Sequence, residues 1–212
     1  MSLCRSLFAS ACIALSGASA GAQSLTPEEV AALVDQRLNE LNPYQSLLAD
    51  PDPDRSFAAM QIMLESGDPV LMRMAIEFGL LSPNSAVRRE AVEALLSSGP
   101  ILTVVIDASG SEDLRNFGWN INRLAGTSDA ENKGYIRLAV GEKSEEAECF
   151  LWRETSTCLF TVNADGVFLN VENSGTRFVV SRLTSDDAGN LVGSATLYNT
   201  KGSFPASIRL ID

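Results

Sequence analysis

The chain has 212 residues, 16 basic against 27 acidic side chains, no histidine and a net charge of −11. An acid excess of this size repels nucleic acid and anionic membrane surfaces, and an apolar fraction of 45% excludes wholesale disorder. The lack of histidine excludes every mechanism built on imidazole, whether a Ser-His-Asp triad, a Cys-His dyad or a histidine-ligated zinc or copper site.

Residues 1–22 read as a secretory signal peptide. Arg5 supplies a short positive segment, Leu7 to Leu15 form a mostly apolar stretch, and Ala18-Ser19-Ala20 and Ala20-Gly21-Ala22 offer the small-x-small pattern of a cleavage site. Cys12 also follows small residues, as a lipidated cysteine would, but Ala9 stands where such a site usually carries Leu, Val or Ile. The apolar stretch is too short to span a bilayer, so the processed chain is expected to be soluble in the periplasm or outside a bacterial cell. Cleavage after Ala22 removes Cys4, Cys12 and Arg5, leaving 15 basic residues against 27 acidic ones and a net charge of −12.

An α-helical region is expected over 24–100. Thr26-Pro27-Glu28-Glu29 is a helix start, in which Thr26 caps, Pro27 suits the first turn and the glutamates meet the positive end of the helix dipole. Val30, Leu33, Val34, Leu38 and Leu41 continue it at helical spacing, and the proline-rich stretch from Asn42 to Ser56 interrupts it before a helix near Asp54. A period then appears: AMQIMLES from Ala59, AIEFGLLS from Ala75 and AVEALLSS from Ala91, with alanines 16 residues apart. One such unit holds a short helix and a turn.

Residues 54–99 resemble HEAT or armadillo-type α-helical repeats, most plainly the segment from Asp68 to Gly99, with Asp68-Pro69 opening one helix and Val87-Arg88 the next. That resemblance implies an α-helical stack with a protein-binding role; a small helical bundle of equal helix lengths fits the same period. Met60, Met63, Met72 and Met74 fall in these helices, where methionine fills cores or lines adaptable grooves.

Residues 101–133 are a connector that opens with a β-branched run, Ile101 to Ile106, read as a strand, and continues through a polar loop, TSDAENKG. From 134 to 212 strand signals recur every 8–12 residues, separated by turns such as Ala164-Asp165-Gly166 and Asn173-Ser174-Gly175. Connections this short join antiparallel neighbours. The fold class expected is therefore α+β: a short helical stack followed by an antiparallel β-meander curled into a half-barrel or small sandwich. Alternation puts Phe204, Ala206, Ile208 and Leu210 on one face of the last strand, and Pro205 marks it as an edge strand or the site of a bulge.

No catalytic, cofactor or metal residues emerge. Ser-Lys chemistry would need Lys133, Lys143 or Lys201, all beside turns and none in an S-x-x-K pattern. Asp165, Glu172, Asp186 and Asp187 could form a glycosidase-like carboxylate pair, but each suits a turn or a solvated strand face better. DPDPD at 50–54 starts like a calcium loop, yet Arg55 replaces the glycine and Gln61 the final glutamate; a stiff linker with Asp54 capping a helix fits better. Trp119, Tyr135, Phe150, Trp152, Phe168 and Tyr198 are aromatic candidates for a carbohydrate or peptide cleft, or for core packing.

Cys149 and Cys158 are the two cysteines left in the processed chain, and in an oxidising compartment they should form a disulfide. A tight hairpin with Arg153-Glu154 at its tip would set them directly opposite each other. Taken together, these features predict a secreted, non-enzymatic binding or adaptor protein. Its partner would be another secreted or envelope protein, reached through the helical stack, with no nucleic acid, no membrane insertion and no cofactor. A competing class is a small-ligand or cell-wall glycan binder that uses the sheet.

Overall fold

A computed structural model of the chain describes residues 25–211, so the signal-peptide reading lies outside the described residues. The chain divides into two compact units, one ending at Leu41 and one spanning Asn42–Asp212. Helix α1 (Pro27–Leu48) runs across that division. In the first unit its start is a reciprocal capping box: the Glu29 N–H donates to Thr26 Oγ1, and the Thr26 N–H to Glu29 Oε2. Val30, Leu33, Val34 and Leu38 are exposed. Asn42-Pro43 does not stop the helix. It continues to Leu48 with Pro43 inside it, and the division between the units falls two residues before that proline, where a helical N–H is missing.

The second unit contains the end of α1, then α2 (Pro53–Glu65), α3 (Pro69–Leu80) and α4 (Ser85–Ser97). Asp52, Asp68 and Asn84 cap these three helices through their side chains, with Pro53 and Pro69 in the first turn. The cap of α2 is thus Asp52 rather than Asp54, and α4 begins two residues before Val87. α2 packs on α3 and α3 on α4. At the α3–α4 crossing a Cβ on Gly79 would lie 2.5 Å from the Ala91 Cβ and 2.8 Å from the Met60 sulfur, so the smallest residues set the approach.

The rest of the unit is a closed antiparallel barrel. Its eight strands are β1 (Ile101–Asp107), β3 (Lys133–Ser144), β4 (Cys149–Trp152), β5 (Cys158–Asn163), β6 (Gly166–Asn173), β7 (Thr176–Ser185), β8 (Leu191–Leu197) and β9 (Phe204–Ile208). The two-residue strand β2 (Thr127–Ser128) adds to β3. Consecutive strands pair from β3 to β9, and β1 pairs with both β9 and β3, closing the ring.

The expected half-barrel or sandwich is therefore corrected to a closed barrel. The reason is β1: its Val104 pairs with Ile208 on one side and Ile136 on the other, which leaves the meander no open edge. For the same reason β9 is not an edge strand. Pro205 is paired with Ser194 of β8, and the ladder to β1 stops at Ala206, before the residue that has no N–H to give. An eight-stranded barrel is just wide enough for side chains to fill, and Ile106, Ile136, Leu138, Phe160, Leu169 and Leu183 are all buried.

Helix α5 (Leu114–Arg123) occupies the connector and was not expected. It comes close to the barrel at Gly134, where a Cβ would lie 2.5 Å from Ile121 Cδ1 and 2.9 Å from Phe117 Cζ. α3 and α4 join the other end of the strands: a Cβ on Gly189, in the β7–β8 turn, would lie 3.4 Å from the Leu80 Cβ. Ile76, Leu80, Val92 and Leu96 share one buried core with the barrel.

Cys149 and Cys158 form the expected disulfide, with a Cα–Cα distance of 5.7 Å. They are not directly opposite, however. Leu151 pairs with Cys158 and Phe150 with Phe160, so Leu159 is the extra residue of a bulge, and the loop runs from Trp152 to Thr157 rather than through two residues. Arg153 on that loop donates to the carbonyls of Gly99 (2.7 Å) and Val140 (2.8 Å), tying the stapled hairpin to the C-terminal end of α4.

Candidate functional site

Helix α2 is apolar on two faces. Met60 and Met63 turn into a small core with Leu48, Ala75 and Val87. Ala58 and Ile62, one turn apart, face outward, and Ile62 is 68% exposed. Tyr44 and Leu47, from the last turns of α1, are also exposed. With Ile62, Met63 and Leu71 they line a groove of about 280 Å³. Its polar edge is Arg55 and Ser66. The α1–α2 turn that shapes it is fixed by Asp50, which accepts the Asp52 N–H and Arg55 Nε, each at 3.0 Å. These two donors, the backbone one first, hold the Asp50 carboxyl below the usual carboxylate range. The groove can bury an apolar side-chain row, as an amphipathic helix offers, and it holds no titratable pair suited to proton transfer.

The four methionines separate. Met60 and Met63 are buried, Met63 as groove floor, while Met72 lines a different cleft beside Ile211. The groove residues themselves were missed, because Ile62 sits between Gln61 and Met63 in a run that periodicity assigns wholly to the core. The signal that could have found them is Ala58–Ile62 at i, i+4 on a second face of the helix.

The aromatic candidates also part company. Phe150 and Trp152 are buried in the barrel core, and Phe168 lies under the Arg182 guanidinium at 5.9 Å. Tyr135 donates to Asp129 Oδ2 at 2.8 Å. The Lys133 N–H, the Tyr135 hydroxyl and the Glu131 N–H hold the Asp129 carboxyl below its usual range, and the same bond pushes the Tyr135 phenol up. Trp119 of α5 and Tyr198 at the end of β8 do meet. They are 50% and 47% exposed, their ring centroids are 6.1 Å apart, and each lies about 6 Å from the buried ring of Phe178.

The carboxylates named from the sequence do not converge. Asp165 lies in the β5–β6 turn and Glu172 pairs with Arg177 at 3.7 Å. Asp186 accepts the N–H groups of Ala188 and Asn190 within its own loop, and Asp187 is exposed. Lys143 pairs with Glu93 of α4 at 3.2 Å, and Lys133 and Lys201 lie beside loops. Among the described residues, no group of three or more cysteine, aspartate or glutamate side chains is arranged to hold a metal ion, and no helix is long and apolar enough to cross a membrane. Comparison with protein-family models, with curated proteins and with solved structures finds no match to this chain.

Proposed function

We propose that this is a secreted or periplasmic, non-enzymatic binding or adaptor protein, and that it takes an amphipathic helical segment of another envelope protein into the groove between the end of α1 and α2. The observation that carries this reading is the exposure of Tyr44, Leu47 and Ile62 side by side along one groove, above a floor formed by the buried Met63. Contiguous exposed apolar residues with a polar rim favour docking of a partner over solvent. The protein-binding role implied by the HEAT-like resemblance agrees with it. The disulfide is compatible with an oxidising compartment.

A photoreactive residue placed at position 62 of the full chain, in cells that carry the native gene, tests the reading. One discrete adduct is expected, lost in Leu47→Glu and absent when the photoreactive residue replaces Glu154 on the stapled hairpin. No adduct from position 62, or equal adducts from both positions, overturns it.

A further inference from the structure

We propose that the barrel rim formed by α5 and the end of β8 binds an acidic glycan, a chain of sugar rings carrying carboxylates. This site is separate from the groove and does not depend on it. Trp119 and Tyr198 present two half-exposed rings side by side, and among the described residues no cation lies over the Trp119 ring. Arg115 and Arg123 flank Trp119 one helical turn to either side and are exposed. Neither has a carboxylate within ion-pair distance among the described residues, as is true of most arginines of the chain, while Arg37, Arg55, Arg73 and Arg177 are paired. From Leu114 to Arg123 the helix carries these two guanidinium groups and no carboxylate, with Glu112 and Asp113 just before it, so the strip around the indole is positive along the helix itself.

The strip is also held in place before any ligand arrives. Asn120 is fully buried, and its side-chain N–H₂ donates to the Tyr198 carbonyl at 2.8 Å, tying α5 to the β8–β9 connection. The Tyr198 N–H donates to the Phe178 carbonyl at 3.0 Å, and Phe178 lies beneath both rings. Fixed aromatic faces of this kind cost little entropy on binding.

Spacing and charge select the ligand. Four residues of helix rise about 6 Å, close to the length of one hexose ring, so a sugar stacked on Trp119 brings carboxylates of its neighbours to Arg115 and Arg123. Guanidinium pairs with a planar carboxylate through two parallel hydrogen bonds. An anionic bilayer would present a charged plane wider than the Debye length of about 10 Å at 0.1 M salt and would meet the acidic remainder of the protein. A single polymer strand laid from Arg115 to Arg123 meets no carboxylate of the helix itself, and Glu112 and Asp113 lie just before its first turn.

Affinity electrophoresis of the full chain in gels containing polygalacturonate, dextran or neither, with co-sedimentation on phosphatidylglycerol vesicles, tests the proposal. Retardation by polygalacturonate and not by dextran is expected. Trp119→Ala should weaken it about tenfold, the scale of one lost aromatic contact. Trp119→Phe should restore part of it. Arg115→Gln with Arg123→Gln, two surface changes that leave the core intact, should weaken it similarly and flatten its salt dependence. No retardation, equal retardation by dextran, variants that bind like the parent, or binding to vesicles alone would each overturn the proposal.

Discussion

In the barrel every strand has a hydrogen-bonded neighbour on both sides, and its inward side chains, from Ile106 to Phe160 and Leu183, are buried. In the helical layer the backbone is satisfied within each helix, so nothing compels a second face to be covered, and Tyr44, Leu47 and Ile62 stay open to solvent. A closed sheet finishes its own surface. A short helical stack ends at a helix whose outer face remains open to solvent.

The largest expected effect tests whether the two regions fold as one. Phe160→Ala in the barrel core should cost about 3–5 kcal/mol in denaturant titrations. Because Ile76 and Leu80 share that core, helical and aromatic circular dichroism should be lost together; two separate transitions would show that layer and barrel are independent. Replacing Cys149 and Cys158 by serine should cost about 2–3 kcal/mol, with the loss reproduced by adding reductant to the parent protein. A parent protein indifferent to reductant would remove the staple from the account of barrel stability.

Gly79→Ala probes the crowded side of the helical layer. The substitution gains about 1 kcal/mol of helix propensity, but overpacking costs about 1–3 kcal/mol, and the new methyl would meet the Ala91 Cβ, which is fixed to its own backbone. A net loss near 1 kcal/mol is expected; a gain would mean that the crossing relaxes. Ile62→Ser probes the open side and should change stability by less than about 0.5 kcal/mol while weakening partner capture. A large stability loss there would make the groove part of the core and erase the contrast between the regions.

Local signals were legible where one residue does one physical job. Thr26 and the Asp68-Pro69 pair mark helix starts because capping and a missing N–H are properties of those residues alone. Helix α5 was not legible: NFGWNINR mixes asparagine, glycine and aromatics, and it becomes helical on the barrel because Phe117 and Ile121 fit over Gly134. The continuation of α1 through Pro43 likewise overrode the residue's local preference. Of the six aromatic candidates, the fold brings Trp119 and Tyr198 together at 6.1 Å across 79 positions of chain, a distance that no pattern along the sequence encodes.

The amino-acid order by itself determined the helix-then-strand division, the antiparallel meander and the pairing of Cys149 with Cys158, because periodicity, turn residues and cysteine number act over a few positions. Tertiary structure alone decided that β1 closes the barrel, that a bulge at Leu159 displaces the two cysteines from direct opposition, and that Ile62 faces outward. Those outcomes depend on register and packing between segments distant in sequence, and such contacts are selected by the whole core at once rather than by any stretch within it.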